Sequence, residues 1–167
     1  MAEHTETTTQ EKDIGRAGKY LTFRLDDEDY GLEILKVREI IGVMDITAVP
    51  RTPGYIKGVI NLRGKVIPVI DLRLKFGLTE AAHTEETCII VVDVGGVEMG
   101  IIVDEVSEVQ DILESDIEDS PSFGVSINTD FILGMGKCNG QVTILLDISN
   151  VLTQEDLGAL AEMGSTE

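Results

Sequence analysis

The 167-residue chain contains no tryptophan, three tyrosines and four phenylalanines. An aromatic platform for stacking bases or sugars is therefore not expected, and the core has to be aliphatic. The cysteines, Cys88 in an apolar run and Cys138 near a later turn, are too few for a disulfide framework. The histidines, His4 and His83, fall in polar segments, where neither pairs with a buried nucleophile or joins the cysteines in a metal site. Cations are scarce too: 13 basic residues face 31 acidic ones, a formal net charge of −18, which argues against nucleic acid and anionic membrane as partners. No apolar run approaches the roughly 20 residues that cross a bilayer, so no direct membrane insertion is expected. The acidic, Thr-rich start matches neither a signal peptide nor a transit peptide. A soluble cytoplasmic protein without a cofactor is the expectation.

What the chain does have is a stretch, 54–76, that carries a polar tip, Asn61-Leu62-Arg63-Gly64, between two β-branched runs. Runs of that kind, punctuated by Gly58 and Gly64, predict two strands joined by a hairpin. Gly64 suits a positive φ at the tip. Arg63, one position earlier, projects a permanent charge with five donors from a rigid ribbon.

The stretch recurs. Residues 55–76 lie over 131–152 with Ile56/Ile132, Gly58/Gly134, Gly64/Gly140, Val66/Val142 and Asp71/Asp147 identical. Upstream, 21–40 lie over 90–109 with Gly31/Gly100, Val37/Val106 and Glu39/Glu108 identical, and the matches keep their order. The offset widens because the second copy has a longer loop over 111–124. The repeat is too long for a solenoid of small units, and predicts two similar β-modules in tandem, about 19–78 and 88–152. A single module of that size would be marginal alone, so the modules should share a core.

In chain order, 1–17 read as a disordered acidic tail and 20–25 as a strand. The acidic cluster 26–29 makes a turn, since it lacks the ligand spacing, central glycine and terminal glutamate of a calcium loop. Over 33–41, Ile34, Val37, Ile40 and Ile41 have the spacing of one helix face, and Val103, Val106 and Val109 repeat it. A short helix is the expectation there, against the β-branched content. Asp71 and Asp147 are expected N-caps. A polar linker spans 79–87, residues 88–94 read as a buried central strand, and Gly95-Gly96 makes a tight hairpin. The loop 111–119 is acidic, and Thr153 caps a C-terminal helix through about residue 163, within a terminal segment 154–167.

Residues for catalysis are not in evidence. The stretch 58–65 has one residue too many between its glycines for a phosphate loop, with Val66 where Ser or Thr would bind magnesium. Gly134-Met135-Gly136 lacks the third glycine of a dinucleotide fingerprint. Glu39, Arg63 and an aliphatic surface remain. They make either an ordinary surface ion pair or the frame of a contact patch, and the two copies differ there because Asn139 replaces Arg63 while Glu108 keeps the acid.

The run TPGYIKGVINLRGKVIPVIDLRLKFG, preceded by DYGLEILKVREII and followed by MGIIVDEVSEV, resembles the bacterial chemotaxis coupling protein CheW family over 20–152. The resemblance implies a mainly β fold: two intertwined five-stranded SH3-like barrels around a shared hydrophobic core, within a CheW-like domain at 18–153. It implies a non-enzymatic adaptor that couples the cytoplasmic tips of chemoreceptors to the regulatory domain of the histidine kinase CheA, beneath the membrane receptor array. The implied partner contacts are Val37, Glu39, Gly58, Arg63, Gly100, Val106 and Val109. An adaptor of a chemotaxis-like pathway, such as pilus motility, is the alternative within this class. A small-molecule-binding barrel is the alternative outside it, disfavoured by the scarcity of polar residues in the apolar runs.

Overall fold

The structure is a computed structural model that describes residues 17–119, 131–138 and 140–151. The expected tail, the second hairpin's Asn139 and the C-terminal helix over 154–163 lie outside the described residues, apart from residue 17 at the end of the tail.

Among the described residues the chain is mainly β, with eleven strands in two sheets. The first module supplies β1 (Gly18–Leu25), β2 (Glu28–Glu33), β3 (Val37–Gly42), β4 (Ile56–Leu62) and β5 (Lys65–Asp71), then the single-turn helix α1 (Leu72–Lys75). The second supplies β6 (Cys88–Val94), β7 (Val97–Val103), β8 (Glu105–Ile112), β9 (Ile117–Glu118), β10 (Ile132–Cys138), β11 (Gln141–Leu146) and the short helix α2 (Ile148–Val151). Neither module keeps its strands to itself. One sheet runs β8-β1-β2-β11-β10-β9 and the other β3-β6-β7-β5-β4. The exchange rests on two parallel pairings, β5 with β7 and β11 with β2, while every other ladder is antiparallel.

The duplication holds at the level of single residue pairs. Leu21↔Val109 and Phe23↔Val106 across β1/β8 correspond to Ile90↔Ile40 and Val92↔Val37 across β6/β3, and both ladders carry a register shift between those pairs. The β4/β5 ladder shifts between Ile56 and Gly58, and β10/β11 shifts at the matching Ile132 and Gly134. Even the short β9 has a counterpart: Glu118↔Met135 answers the isolated Thr47↔Val59 bridge.

Alternation decides where each side chain goes, since successive strand residues face opposite sides. Leu21, Phe23 and Leu25 of β1, with Ile90, Val92 and Val94 of β6, enter one central cluster to which both sheets contribute. Ile89 and Val91 belong to a second cluster on the other side of the five-stranded sheet, and Tyr20 to a third within the six-stranded sheet. β6 is thus buried on both faces over Ile89–Val92, which explains the apolar run that precedes Asp93. The rings of Phe23, Tyr30, Phe76 and Phe131 stack in series, with centroids 5.8, 5.8 and 5.2 Å apart, and link the modules at the edge of the central cluster.

The expected helix over 33–41 is not formed. Residues Ile34–Lys36 make one 3-10 turn, and β3 follows at once. The second copy is likewise a strand, β8. A bulge causes the helix-like spacing: Val37 pairs with Val92 and Glu39 with Val91, so β3 spends one extra residue. Val37 and Ile40 then face the same side three positions apart. The cap expectations hold, since Asp71 Oδ1 accepts from Arg73 N at 2.9 Å and Asp147 Oδ1 from Ser149 N at 3.1 Å. From α1, the mostly buried Arg73 side chain donates to Asp104 Oδ2 at 2.6 Å and to the carbonyl of Thr79 at 2.8 Å, tying α1 to the linker and to the β7–β8 turn.

Gly58, in β4, has φ +140°, and a Cβ there would lie 2.0 Å from the Thr47 carbonyl oxygen. Gly64, at the hairpin tip, has φ +86° and open space around it. We predict that Gly58→Ala lowers unfolding stability by about 3 kcal/mol, from backbone strain plus a clash with main chain. Gly64→Ala should lose only about 1 kcal/mol, from strain alone. Urea denaturation of both variants checks this, and equal losses would contradict the close approach of the Thr47 segment.

Candidate functional site

The β4–β5 hairpin closes in two residues, with Leu62 paired to Lys65 and Arg63-Gly64 as the tip. Both tip residues have positive φ, +54° at Arg63 and +86° at Gly64. Asn61 Oδ1 accepts from Gly64 N at 2.8 Å, a side-chain brace across the turn. The β6–β7 hairpin has the same construction: Gly95 and Gly96 have φ +60° and +88°, and Asp93 Oδ1 accepts from Gly96 N at 2.8 Å. Arg63 therefore occupies a position where the neighbouring hairpin uses glycine. A residue with a Cβ is disfavoured there by about 1–2 kcal/mol, so the arginine is not present for the sake of the turn.

Its guanidinium reaches across to β3. Arg63 Nη1 donates to Glu39 Oε1 at 3.2 Å and Nη2 contacts Glu39 Oε2, a forked, two-point pairing. The hydrogen bond from Arg63 holds the Glu39 carboxyl below the usual glutamate range, and the same bond raises Arg63. Beside this pair, Arg38 Nη2 bonds Asp93 Oδ2, Arg38 Nε lies 4.0 Å from Glu98 Oε2, and Lys65 Nζ lies 2.8 Å from Glu98 Oε1. The result is a solvent-exposed ladder of alternating charge over β3, β6, β7 and β5. Exposed pairs of this kind add little stability but hold side chains in fixed positions, which suits recognition.

Among the described residues no group of three His, Cys, Asp or Glu is arranged to hold a metal ion, and no helix is long and apolar enough to cross a membrane.

A family model described as CheW-like domain matches residues 19–156. The chain belongs to the CheW family. Chemotaxis protein CheW of Klebsiella aerogenes is 40% identical over 139 residues, covering 83% of this chain and 84% of its own. Chemotaxis protein CheW of Bacillus subtilis is 38% identical over 144 residues, covering 86% and 92%. The crystal structure of the scaffolding protein TtCheW from Thermoanaerobacter tengcongensis superimposes with a TM-score of 0.74 at 39% identity, covering 81% of this chain and 92% of that one.

Within this CheW-family fold the seven expected contact residues divide. Arg63 and Glu39 meet, as described. Val37, Val106 and Val109 face the other way: their pairings with Val92, Phe23 and Leu21 put them on the side of the central cluster, along the edge strands β3 and β8. Val37 and Val106 are half-buried against that cluster, whereas Val109 is 48% exposed. Gly58 and Gly100 are buried, and a Cβ at Gly100 would lie 2.7 Å from Ile89 Cγ2, so both are explained by close packing. Sequence reasoning missed Ile40, the counterpart of Val109, which is 43% exposed on the same central side. The repeat alignment had already set 40 over 109, but the helical reading hid its outward direction. It also missed the ladder through Arg38, Asp93, Glu98 and Lys65, for which the signal was charge gathered at the ends of predicted hairpins.

Replacing Arg63 by asparagine removes the guanidinium and leaves a residue suited to the turn. The Glu39 carboxyl is then expected to return upward to the ordinary glutamate range in a carbon-detected NMR titration. In the native protein the folded-state pKa lies below the unfolded one. The pair's stabilisation is accordingly complete above the ordinary glutamate pKa and is lost as pH falls through the depressed value. An unchanged Glu39 titration in Arg63→Asn would mean that some other group sets it.

Proposed function

We propose that this chain is a non-enzymatic scaffold of bacterial chemotaxis, working on the cytoplasmic face of the membrane and joining the tips of chemoreceptors to the regulatory domain of the histidine kinase CheA. The observation that carries this reading is Arg63. A CheW-family chain keeps a charged residue in left-handed backbone at a hairpin tip, where glycine would be at ease, and fixes it with Glu39. Strain of this kind persists where a side chain is needed for something other than folding.

The two sides of the site take different roles in the proposal. Arg63 and Glu39 meet a partner at the tip, where their charges set specificity and on-rate. The aliphatic row of Val37 and Ile40 on one edge strand, with Val106 and Val109 on the other, receives the apolar face of a helical hairpin, in the helix-in-groove mode. Gly58 and Gly100 act through backbone geometry, by letting strands approach. Signal then passes by binding alone: a receptor that moves slightly changes the relative stability of two assembly geometries, and a few kcal/mol of differential contact suffices.

Arg63→Asn tests this against a folding defect. Removing one strained tip residue should leave the melting temperature unchanged or higher, while capture of purified kinase and receptor cytoplasmic fragment in a co-sedimentation assay weakens by about tenfold, or about 1.4 kcal/mol. Native-like capture by the folded variant would take the tip out of the partner surface.

A further inference from the structure

The pseudo-symmetry that matches the two sheets residue by residue fails at one place. On the five-stranded sheet, the hairpin-tip end holds three cations, Arg38, Arg63 and Lys65, against three carboxylates, Glu39, Asp93 and Glu98. Beneath them Ile41, Leu62, Ile67 and Val91 pack in an aliphatic cluster. In the repeat their counterparts are Ser107, Asn139 and Gln141 for the cations, and Glu108, Arg24 and Asp29 for the acids. The acids keep a surplus: one guanidinium remains against two carboxylates. The aliphatic floor has become Gln110, Cys138, Thr143 and Thr22, and Gly136 stands at the position of Ile60.

These changes open a polar pocket of about 150 Å³, lined by residues of β1, β2, β8, β10 and β11. Arg24 Nε lies 3.5 Å from Asp29 Oδ1, so the one cation is already engaged. Among the described residues, the Glu108 carboxylate accepts only from Gln110 Nε2, at 2.9 Å. The Thr22 hydroxyl is used up inside the β1/β8 bulge, donating to Glu108 O at 2.7 Å. Thr143, 3% exposed, lines the pocket beside them. The flanking lysines do not supply the missing charge, since Lys19 is held 3.0 Å from Asp111 and Lys137 2.9 Å from Glu118.

We infer that this pocket is a receptacle for one arginine side chain presented by a protein partner, which supplies from outside the cation that Arg38, Arg63 and Lys65 supply from within on the other sheet. Arginine suits it better than lysine because its planar fork of five donors reaches several acceptors at once: Glu108, Asp29, the amide oxygen of Gln141 and the Thr143 hydroxyl. The volume admits a side chain and is below the size of an ordinary small-molecule site. The scaffold reading supplies the class of occupant, a protein; the charge deficit and the cavity stand without it.

The experiment is an amide NMR titration of the full chain with N-acetyl-arginine amide, and with the uncharged, near-isosteric N-acetyl-citrulline amide as control. Saturable shifts at Thr22, Glu108 and Thr143 with the arginine probe, weak or absent with citrulline and reduced by added salt, are expected. Ser107→Arg places a guanidinium where Arg38 stands on the other sheet and should abolish the response. Glu108→Gln, which removes the acid without adding bulk, should weaken it several-fold. Ser107→Arg should also lower partner capture in the co-sedimentation assay. The absence of saturable shifts, an equal response to citrulline, or a native response in folded Ser107→Arg would overturn the pocket. A native pocket response in wild type with undiminished capture by Ser107→Arg would overturn the protein partner. The probe titration contains neither kinase nor receptor, so failure of the scaffold reading and failure of the pocket are separately visible.

Discussion

The two parallel pairings, β5 on β7 and β11 on β2, are the constraint on which the other features depend. Each module delivers its last long strand into the sheet begun by the other, so neither sheet is complete without both halves of the chain. The central cluster follows from this, because the exchange brings Leu21, Phe23 and Leu25 of β1 and Ile90, Val92 and Val94 of β6 into one core. So do two glycines. Gly31 sits opposite Leu145, and Gly100 opposite Val69, at the parallel crossings. A Cβ at Gly31 would meet Leu145 Cδ2 at 3.1 Å, and one at Gly100 would meet Ile89 Cγ2 at 2.7 Å. The same packing problem arose twice and has the same answer twice, which is why these glycines align in the repeat.

Much of this is legible in the amino-acid sequence. The duplication, the hairpins at Arg63-Gly64 and Gly95-Gly96, the buried strand over 88–94 and the caps at Asp71 and Asp147 are all local features, fixed by glycine, turn chemistry and period-two burial. The failure over 33–41 has an equally local cause. A bulge inserts one residue into an alternating strand, so apolar positions that share a face fall three apart, and three apart is also the helical signature. The β-branched residues argued for the strand, and they prevailed. Strand exchange, by contrast, leaves no mark in either module read alone; only the family resemblance implied it.

The site shows a second limit. Sequence put Arg63 beside a turn glycine, but the positive φ of Arg63 itself is a property of the folded hairpin. The Glu39–Arg63 pair could be suspected from sequence. For its neighbours in the ladder the sequence offered only charge near predicted hairpin ends and no pairing, since Arg38, Asp93, Glu98 and Lys65 come from four strands and both modules. Charges scattered along a chain acquire meaning only when a topology sets them side by side.

Asymmetry between the repeats is where function separates from folding. Both copies must satisfy the same backbone, and register, bulges and packing glycines are kept in both. Copies free to drift should diverge first at exposed positions that carry no packing load. Here the divergence also reaches inward: Thr22 stands opposite Val91 in the repeat and Thr143 opposite Ile67, and both threonines, in the six-stranded sheet, are 5% exposed or less. Burying a hydroxyl where the fold accepts an aliphatic side chain loses transfer free energy on the order of 1 kcal/mol or more, unless the hydroxyl finds a partner. Thr22 finds one inside the bulge, and Thr143 lines the polar pocket. Five replacements along one end of one sheet, at positions matched by an intact aliphatic cluster in the other, are poorly explained by drift that folding alone would tolerate. They are explained if that end of the sheet meets something polar that is brought by another molecule.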